Sequence, residues 1–326
     1  MKRFFQSGVL LVASLLVAGA IAEGSVRIFA PHSRDHVVPA GMFDIDPELG
    51  WKLHPGSNVR HRTRYFDVPY SINSMGFRDR QRSVEQNDKR RRILVFGDSH
   101  IFGWGVTPEQ RATGIVEARN PSLDIWNMGV PGYGLDQEVL SYERDGGSFG
   151  ATDVVLFATW HTATRMMFSQ IYRKPKPMFT VDSAGALVPT PVRSRTSART
   201  DLVYRLLSPL YLPYFLELQV RRLGGGRRGR DVTPSLSPEV MRLQMALLLK
   251  AKALATERNQ RLFLLTILPE ESTRELADFC NRNGIVLLET PWSQLPIELT
   301  FGPGDAHLVP RAHELMADRL SAQLAQ

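Results

Sequence analysis

The hydrophobic positions from residue 91 onward form short continuous apolar runs that alternate with longer segments of helical spacing. Runs of this kind, closed by glycine or polar residues, are typical of strands buried on both faces of a parallel sheet. We predict five such strands, at 93–96, 124–128, 153–157, 261–267 and 285–288. Helices are predicted between and after them, at 108–117, 135–142, 237–259, 273–283 and 310–325. The pattern indicates a doubly wound α/β domain over 91–326, with a flavodoxin-like parallel sheet of about five strands and helices on both faces.

The first 26 residues determine the expected compartment. Lys2 and Arg3 precede an uncharged stretch, 4–22, that is just long enough to span a bilayer. Because positive charges stay on the cytoplasmic side, the rest of the chain is expected to be exported. We expect residues 1–26 to be an uncleaved anchor that holds the domain at the inner membrane, in the periplasm or outside the cell. Alternatively, the Ala-Ile-Ala sequence at 20–22 is an acceptable signal-peptidase site, and the protein would then be secreted.

Residues 27–90 lack long periodicity and are rich in proline, histidine, arginine and turn residues. Short aromatic segments occur within this stretch. We predict a lead-in segment that packs on the main domain and ends in a charged linker at 78–92.

The alternation of strands and helices is interrupted at 161–236. This segment has 13 Lys and Arg against 4 Asp and Glu, a net charge of +9, whereas the whole chain has +7. No motif of stacking aromatic residues accompanies the charge, so binding to nucleic acid is not favoured. In an anchored protein, a basic insertion fits anionic lipid head groups or an acidic polymer. A solvated insertion without a ligand is the alternative.

The single cysteine, Cys280, cannot form an internal disulfide, and its surroundings lack the spacing of a zinc or redox site. It lies in a predicted helix, where we expect a buried apolar residue. No cluster of metal ligands and no nucleotide-binding loop is visible in the sequence. We therefore expect no cofactor and no metal.

Candidate catalytic residues follow two of the predicted strands. Ser99 comes directly after the first strand, and Asp305 and His307 come after the fifth. A serine hydroxyl becomes a good nucleophile when a histidine removes its proton and a carboxylate orients that histidine. Because the carboxyl ends of parallel strands lie at the same edge of a sheet, these side chains can meet there. The arrangement predicts ester hydrolysis or acyl transfer at Ser99, whereas a tight turn at Gly-Asp-Ser is the alternative without chemistry.

Four segments together resemble the SGNH hydrolase superfamily, the GDSL-like esterases. Residues 92–106, RILVFGDSHIFGWGV, resemble its first block, and 127–134, NMGVPGYG, its second. The segment 305–308, DAHL, is similar to the last block. A further segment, 70–79, is similar to one that precedes the serine block in membrane-anchored bacterial members. The resemblance covers about 70 to 305 in order, apart from the basic insertion.

The resemblance implies an SGNH-type three-layer α/β/α domain with Ser99 as the nucleophile, His307 as the general base and Asp305 as its orienting carboxylate. The backbone amides of Ser99 and Gly129 would be the oxyanion donors. The family's third block has an asparagine that this chain lacks, and His161 occupies the matching place. An imidazole N–H can also donate a hydrogen bond, so His161 is a candidate for the third donor.

Two further histidines lie in or near these blocks. We expect His313, which lies six residues after His307 and within the last predicted helix, to be a structural helix residue. His100 is expected to be part of the wall of the site.

Three functions are compatible with these residues. The first is a serine esterase that removes acyl groups from a carbohydrate or a cell-envelope polymer, a substrate class implied by the resemblance and the expected compartment. The second is an O-acyltransferase, in which a sugar hydroxyl captures the acyl-serine in place of water. The third is a non-catalytic envelope-binding protein that kept the fold after losing the asparagine.

Overall fold

In the computed structural model, the chain is described at residues 2–35, 37–85, 90–172, 174–192, 207, 209–223, 235–290, 292–293, 295–302 and 304–324. It divides into two units, which are described separately. The smaller unit consists of Met1–Ala40, Arg62–Tyr65 and Thr196–Arg230. The larger unit consists of Gly41–His61, Phe66–Arg195 and Asp231–Gln326.

The strands and helices are numbered in chain order. The strands are β1 (Phe43–Asp46), β2 (Gly50–Leu53), β3 (Asn58–Arg62), β4 (Asp67–Ser71), β5 (Arg91–Gly97), β6 (Leu123–Gly129), β7 (Asp153–Thr159), β8 (Gln170–Ile171), β9 (Lys174–Pro175), β10 (Met178–Val181), β11 (Leu187–Thr190), β12 (Arg261–Ile267), β13 (Val286–Glu289), β14 (Thr300–Gly302) and β15 (Asp305–Leu308). The helices are α1 (Lys2–Phe29), α2 (Ser99–Phe102), α3 (Ala112–Arg119), α4 (Leu135–Asp145), α5 (Trp160–Arg165), α6 (Leu212–Leu223), α7 (Pro238–Glu257), α8 (Glu270–Arg282) and α9 (Pro310–Leu324). Short 3₁₀ helices occupy Pro31–Arg34 and Ile297–Leu299.

The five predicted strands form one parallel sheet in the spatial order β13, β12, β7, β5, β6. Numbered along the chain, this is the order 2-1-3-4-5 of flavodoxin-like folds, read from the other edge, so the predicted fold class is confirmed. In such sheets, ligands bind beyond the strand ends where the strand order reverses, which here lies between β5 and β7. The pairing of β5 with β7 runs from Ile93 opposite Asp153 to Val95 opposite Val155.

Alternate residues of β5 face opposite sides of the sheet, as the two-residue period of a strand requires. Leu94 and Phe96 belong to an apolar cluster with residues of α4, α7 and α8. Ile93 and Val95 belong to a second cluster with residues of α3 and α9. The sheet is therefore covered by helices on both faces. Cys280 is 1% exposed within the first cluster, which confirms the expectation of a buried apolar residue.

Local sequence signals set the ends of the helices. The hydroxyl Oγ of Ser237 accepts a hydrogen bond from the backbone N–H of Val240, and Pro238 is the first residue of α7. Serine at the cap and proline in the first turn are the expected start of a helix. By contrast, α3 begins at Ala112 and not at the predicted residue 108, because the N–H of Thr107 donates to the side chain of Gln110 in a separate turn.

The predicted charged linker at 78–92 packs against the sheet where the structure describes it. Arg82 and Arg92 have side chains that are 4% exposed, and both pair with Asp124 at the start of β6. Their N–O distances to the carboxylate are 2.8 and 2.7 Å. Buried guanidinium groups need such partners, so the arginines bind this segment to the sheet and do not form a solvated connection.

The basic segment 161–236 contains the hairpins β8–β9 and β10–β11, which the sequence analysis did not predict. Its residues 173, 193–206, 208 and 224–234 lie outside the described residues, and these include most of its arginines. One described cation, Lys176, is fully buried against the carboxylate of Asp136. At least this part of the segment is built into the larger unit.

The smaller unit contains the apolar helix α1. Its residues Gln6–Phe29 have a mean hydropathy of 2.1 and are 6% buried, so by length and composition the helix is able to cross a membrane. A signal sequence has the same properties. The carboxylate of Glu23 accepts hydrogen bonds from the N–H groups of Tyr211 and Leu212, at 2.9 Å each, where α6 begins.

Candidate active site

Ser99, His307 and Asp305 form a hydrogen-bonded chain in the larger unit. The Oγ of Ser99 lies 2.8 Å from Nε2 of His307, and Nδ1 of His307 lies 2.5 Å from Oδ1 of Asp305. A carboxylate can only accept, so Nδ1 carries the proton and Nε2 has a lone pair for the serine proton. The structure thus brings together the three residues that the sequence analysis selected for this arrangement. Their catalytic role remains a prediction.

Each of these three hydrogen-bonded residues is positioned by a short helix or strand. Ser99 is the first residue of α2, directly after β5, and is 4% exposed. His307 and Asp305 belong to β15, which pairs antiparallel with β14. The hairpin β14–β15 therefore determines where the imidazole meets the serine.

The turn at Ser99 depends on a cap and on two glycines. The carboxylate of Asp98 accepts from the N–H of His100 at 2.9 Å and so caps the start of α2. Gly103 ends α2 with φ of +82°, a conformation that glycine adopts without strain. A Cβ on Gly129 would lie 2.3 Å from the backbone nitrogen of Phe102, so only glycine lets the end of β6 approach α2 this closely.

The segment 70–79 supports the same turn from outside. Arg78 is 1% exposed and donates to the carbonyl oxygens of Phe102 and Gly103, at the end of α2, and of Val106. The hydroxyl of Tyr70 accepts from the N–H of Gly105 at 2.9 Å. The segment that the sequence analysis singled out before the serine block thus holds the loop that follows Ser99.

The surroundings of the imidazole keep it uncharged. Burial lowers the pKa of His307 below its ordinary value, and the nearby His100 acts in the same direction, while Asp305 opposes the change. Burial alone would raise the pKa of Asp305, but the hydrogen bonds from His307 lower it. The ring of Trp104 stacks on His307 at a centroid distance of 4.9 Å and an interplanar angle of 23°. A neutral imidazole beside an ionised carboxylate is the state that a general base requires.

A second Asp–His pair, which sequence reasoning missed, flanks Ser99 in the sequence. Nδ1 of His100 is 3.0 Å from Oδ1 of Asp98, and the two rings of His100 and His307 are 5.5 Å apart. Asp98 is fully buried, and Arg165 donates to its other oxygen at 2.8 Å. The signal was present in the sequence, because Asp-Ser-His at 98–100 repeats the Asp-x-His spacing of 305–307.

The predicted oxyanion donors differ in their hydrogen bonding. The amide of Ser99 has no acceptor among the described residues. The amide of Gly129 donates to Oδ1 of Asn127 at 3.2 Å, so it would have to release this acceptor to bind an oxyanion. The amide of Gly132, three residues further on, has no acceptor in the described part of the chain, and its φ is +88°. Gly132 is therefore an additional candidate, and glycine after proline in a tight turn is the signal for it.

The loop that carries Gly132 is attached to the serine turn. The N–H of Val130 donates to the carbonyl of Gly97 at 2.9 Å. Arg165 bridges the carbonyl of Tyr133 at 3.0 Å to the carboxylate of Asp98 at 2.8 Å.

His161 is the second residue of α5, directly after β7. It is exposed, its ring is edge-on to Trp160 at 5.4 Å, and its nitrogens have no hydrogen-bond partner among the described residues. Partial desolvation lowers the pKa of His161 to about 4, and the charge of Arg165 acts in the same direction. The imidazole is neutral near pH 7, and its role as a donor remains a prediction.

His313 lies in the interior of the helical layer. It is 1% exposed on α9, and its Nδ1 accepts from the N–H of Ala112 at 3.4 Å. This position agrees with the structural role that the sequence analysis expected.

Glu138 is a fully buried acid below the serine turn. Its Oε2 accepts from the N–H of Phe157 at 3.0 Å, beyond the point where β5 and β7 cease to pair. Its other oxygen has no partner among the described residues. Burial raises the pKa of Glu138 well above its ordinary value, and the negative charge of Asp98 acts in the same direction.

Metal ligands are not clustered in the described part of the chain: no group of three or more His, Cys, Asp and Glu side chains there could hold an ion. The expectation that the protein has no cofactor and no metal remains a prediction.

The structure of this chain is similar to several solved structures of other proteins. No protein-family model and no curated protein sequence matches the chain. It is similar to a lipolytic protein of the G-D-S-L family from Veillonella parvula DSM 2008, with 14% identity, a TM-score of 0.41, and coverage of 72% of this chain and 99% of that one. A putative lipolytic protein of the G-D-S-L family from Desulfitobacterium hafniense DCB-2 gives 9% identity, a TM-score of 0.41, and coverage of 72% and 99%. Axe2, an acetylxylan esterase from Geobacillus stearothermophilus, gives 12% identity, a TM-score of 0.40, and coverage of 72% and 94%.

These similarities are limited in extent. Each of the three TM-scores is 0.41 or lower, and each identity is 14% or lower. The chemistry assigned to this chain therefore depends on the geometry of its own residues.

Proposed function

We propose that this chain is a serine-dependent ester hydrolase of the SGNH, or GDSL-like, type. The observation that supports the proposal is the chain of hydrogen bonds from Ser99 Oγ to His307 Nε2, 2.8 Å, and from His307 Nδ1 to Asp305 Oδ1, 2.5 Å. Nucleophile, base and orienting carboxylate are the three parts that acyl transfer to serine requires. The sequence motifs around these residues support the same type of enzyme.

In the proposed reaction, Ser99 Oγ attacks the acyl carbonyl while His307 Nε2 takes the hydroxyl proton. The C–O bond to the alcohol then breaks, and His307 gives the proton to the departing oxygen, which leaves an acyl-serine ester. Water attacks this ester, His307 takes a proton from the water, and the proton passes to Ser99 Oγ as the carboxylic acid leaves. Asp305 stays ionised throughout and stabilises the imidazolium.

Negative charge that develops on the carbonyl oxygen needs donors that are already in place. The free amide of Ser99 is one donor in this proposal. The amide of Gly129 or of Gly132 is the second, and a ring N–H of His161 takes the position of the family's asparagine. Loss of one such donor typically costs about 3 kcal/mol of transition-state stabilisation.

We further propose that the substrate is an acylated carbohydrate or another ester of the cell envelope, and that α1 anchors the enzyme in the inner membrane with its larger unit outside the cytoplasm. The length and hydropathy of Gln6–Phe29, after the basic residues at 2–3, support this location. Secretion after cleavage of the segment is the alternative.

An O-acyltransferase with the same triad is a second candidate. The low exposure of Ser99, 4%, and the stacking of Trp104 on His307 favour it, because both limit the access of water to the acyl-serine. Release of free acid in the absence of an added alcohol separates hydrolysis from transfer.

Labelling with a fluorophosphonate probe tests the proposed function, because only an activated serine reacts. The full chain in detergent should be labelled, whereas Ser99→Ala and His307→Ala should not. A folded wild-type protein that is not labelled would instead support a non-catalytic envelope-binding role. A screen of acetylated glycans and short-chain esters, run beside Ser99→Ala, then identifies the substrate.

A further inference from the structure

Two Asp–His pairs of the same local geometry lie near Ser99, and their imidazole rings are 5.5 Å apart. In each pair, the carboxylate Oδ1 accepts from the backbone N–H of the histidine two residues later, at 2.9 Å for Asp98 and 3.1 Å for Asp305. In each pair, the same Oδ1 contacts Nδ1 of that histidine, at 3.0 and 2.5 Å. The proposed mechanism uses Asp305 and His307 and leaves Asp98 and His100 without a chemical role.

The hydrogen bonds of Asp98 determine what His100 offers to a ligand. The carboxylate receives N–H groups from His100 and from Arg165, so it is ionised and acts only as an acceptor. Nδ1 of His100 must therefore be the protonated nitrogen of the ring, and in this tautomer Nε2 has a lone pair. A ligand that binds at Nε2 has to donate a hydrogen bond.

Nε2 of His100 is also available for a ligand. It has no hydrogen-bond partner among the described residues, and the side chain is 11% exposed. The ring is fixed by Asp98, by Phe157 at a centroid distance of 6.0 Å and by His307 at 5.5 Å. A rigid acceptor of this kind lies one residue from the nucleophile and costs little entropy when it binds.

We propose that His100 is a specificity-determining residue whose Nε2 accepts a hydrogen bond from a free hydroxyl group of the substrate near the scissile ester. The inference deepens the proposed function and rests on it. The substrate class is a partly acylated sugar or polyol, in which at least one hydroxyl next to the ester is unmodified. A fully acylated analogue leaves the acceptor unpaired, and sites built to bind a hydroxyl discriminate strongly against ligands that lack it.

The helix cap formed by Asp98 does not explain why residue 100 has an imidazole side chain. The cap needs the backbone N–H of His100, which any side chain at this position retains. His100→Phe keeps a ring against Phe157 and removes Nε2, so it tests the acceptor with little change in packing. His100→Gln places an amide oxygen in the same region, and its oxygen is able to accept from a hydroxyl.

A third Asp–His pair, His54 with Asp44, contains none of the proposed triad residues and offers a matched control. Nδ1 of His54 lies 2.8 Å from Oδ1 of Asp44, on the hairpin β1–β2. His54→Phe removes the same chemical groups and should leave the selectivity and the activity of the enzyme unchanged.

The experiment compares kcat/KM for glycerol monoacetate, which has free hydroxyl groups, with kcat/KM for glycerol triacetate, which has none. Release of acetic acid by the full chain in detergent is measured for both substrates. In His100→Phe, the ratio of the monoacetate value to the triacetate value should fall by at least about tenfold relative to wild type. In His100→Gln, the ratio should recover in part.

The outcomes separate this inference from the proposed function. An unchanged ratio in His100→Phe, or equal losses on both substrates, overturns the inference, because the ring would then only pack or position the turn. Fluorophosphonate labelling of Ser99 is measured in the same preparations. Absence of labelling in the wild type overturns the proposed function and this inference with it, whereas labelling with an unchanged ratio overturns this inference alone.

Discussion

Nε2 of His307 lies 2.8 Å from Oγ of Ser99, although 208 residues separate them along the chain. The serine is placed by the end of β5 and the histidine by the hairpin β14–β15. The contact therefore joins the carboxyl end of a strand of the main sheet to a separate two-stranded hairpin.

Replacement of the three residues tests this contact. Ser99→Ala and His307→Ala should each abolish turnover of a short-chain ester, because the first removes the nucleophile and the second removes the base. Asp305→Asn should leave a small residual activity, about 10⁴-fold below wild type in kcat, because the amide orients the imidazole in the wrong tautomer. The measurement is steady-state hydrolysis, with His54→Phe as the control. Near-normal turnover of Ser99→Ala would refute the enzymatic proposal.

The pH profile of kcat/KM should extend further into the acid range than an ordinary histidine allows. A general base works only when unprotonated, so activity is lost as the pH falls through the pKa of His307. Because burial and His100 lower that pKa, the acid limb should lie below about pH 6.5, the ordinary value for histidine. Asp305 raises the pKa, and Asp305→Asn should therefore move the limb to still lower pH. An acid limb above pH 6.5 would contradict the described environment of the imidazole.

Sequence patterns were sufficient for the sheet and for the choice of the three residues that the structure brings together. The apolar run of β5 identifies a strand buried on both faces, and the position of Ser99 after it is meaningful because parallel strands share one edge. The family resemblance then selected Asp305 and His307 among the other acids and histidines. The apolar runs repeat along the chain and the motifs are short, so both can be recognised without knowledge of distant contacts.

Other features depend on contacts that no local pattern contains. Arg165 reaches Asp98 across 67 residues, so neither sequence neighbourhood identifies the pair. Arg82 and Arg92 were predicted only as parts of a charged linker, and their pairing with Asp124 in the interior depends on a residue more than 30 positions away. The hairpins between β8 and β11 have strands of two to four residues, which is too short for a periodic signal.

His161 can be tested as a replacement for the missing asparagine. If its N–H binds the oxyanion, His161→Ala should lower kcat by about 10²-fold or more, and His161→Asn should keep or raise it. Because the pKa of His161 is about 4, a neutral ring donates, and the wild-type rate should show no further protonation step of this residue between pH 6 and 8. Unchanged turnover in both variants would mean that His161 only packs against Trp160.

The state of the N-terminal segment can be read from fractionation. Protein expressed from Met1 should sediment with membranes and resist extraction by high salt, because burial of α1 in hydrocarbon is not screened by ions. Detergent should release it. Protein sequencing of the released material should find the residues before Glu23, whereas soluble protein that begins at Glu23 would show that the segment is a cleaved signal.

Glu138 should make the larger unit less stable as the pH rises. Burial raises its pKa well above the ordinary 4.5, so the folded chain holds a proton that the unfolded chain releases at neutral pH. Between these two pKa values the unfolded state binds fewer protons, and the free energy of unfolding falls by up to about 1.4 kcal/mol per pH unit.

Glu138→Gln cannot ionise and keeps an oxygen that accepts from the N–H of Phe157, so it should not show this loss. Urea unfolding of both proteins at pH 5 and pH 8 gives the difference between variant and wild type, in which the contributions of all other groups cancel. At pH 8 the free energy of unfolding of Glu138→Gln should rise relative to that of the wild type. Only the wild type loses stability there, because its unfolded chain releases the proton of the Glu138 carboxyl group. Glu143→Gln, on the solvent-facing part of the same helix, should show no such change. A difference for Glu138→Gln that is equal at both pH values would mean that the carboxyl group is ionised in the folded chain, and a compensating cation would then have to lie beside it.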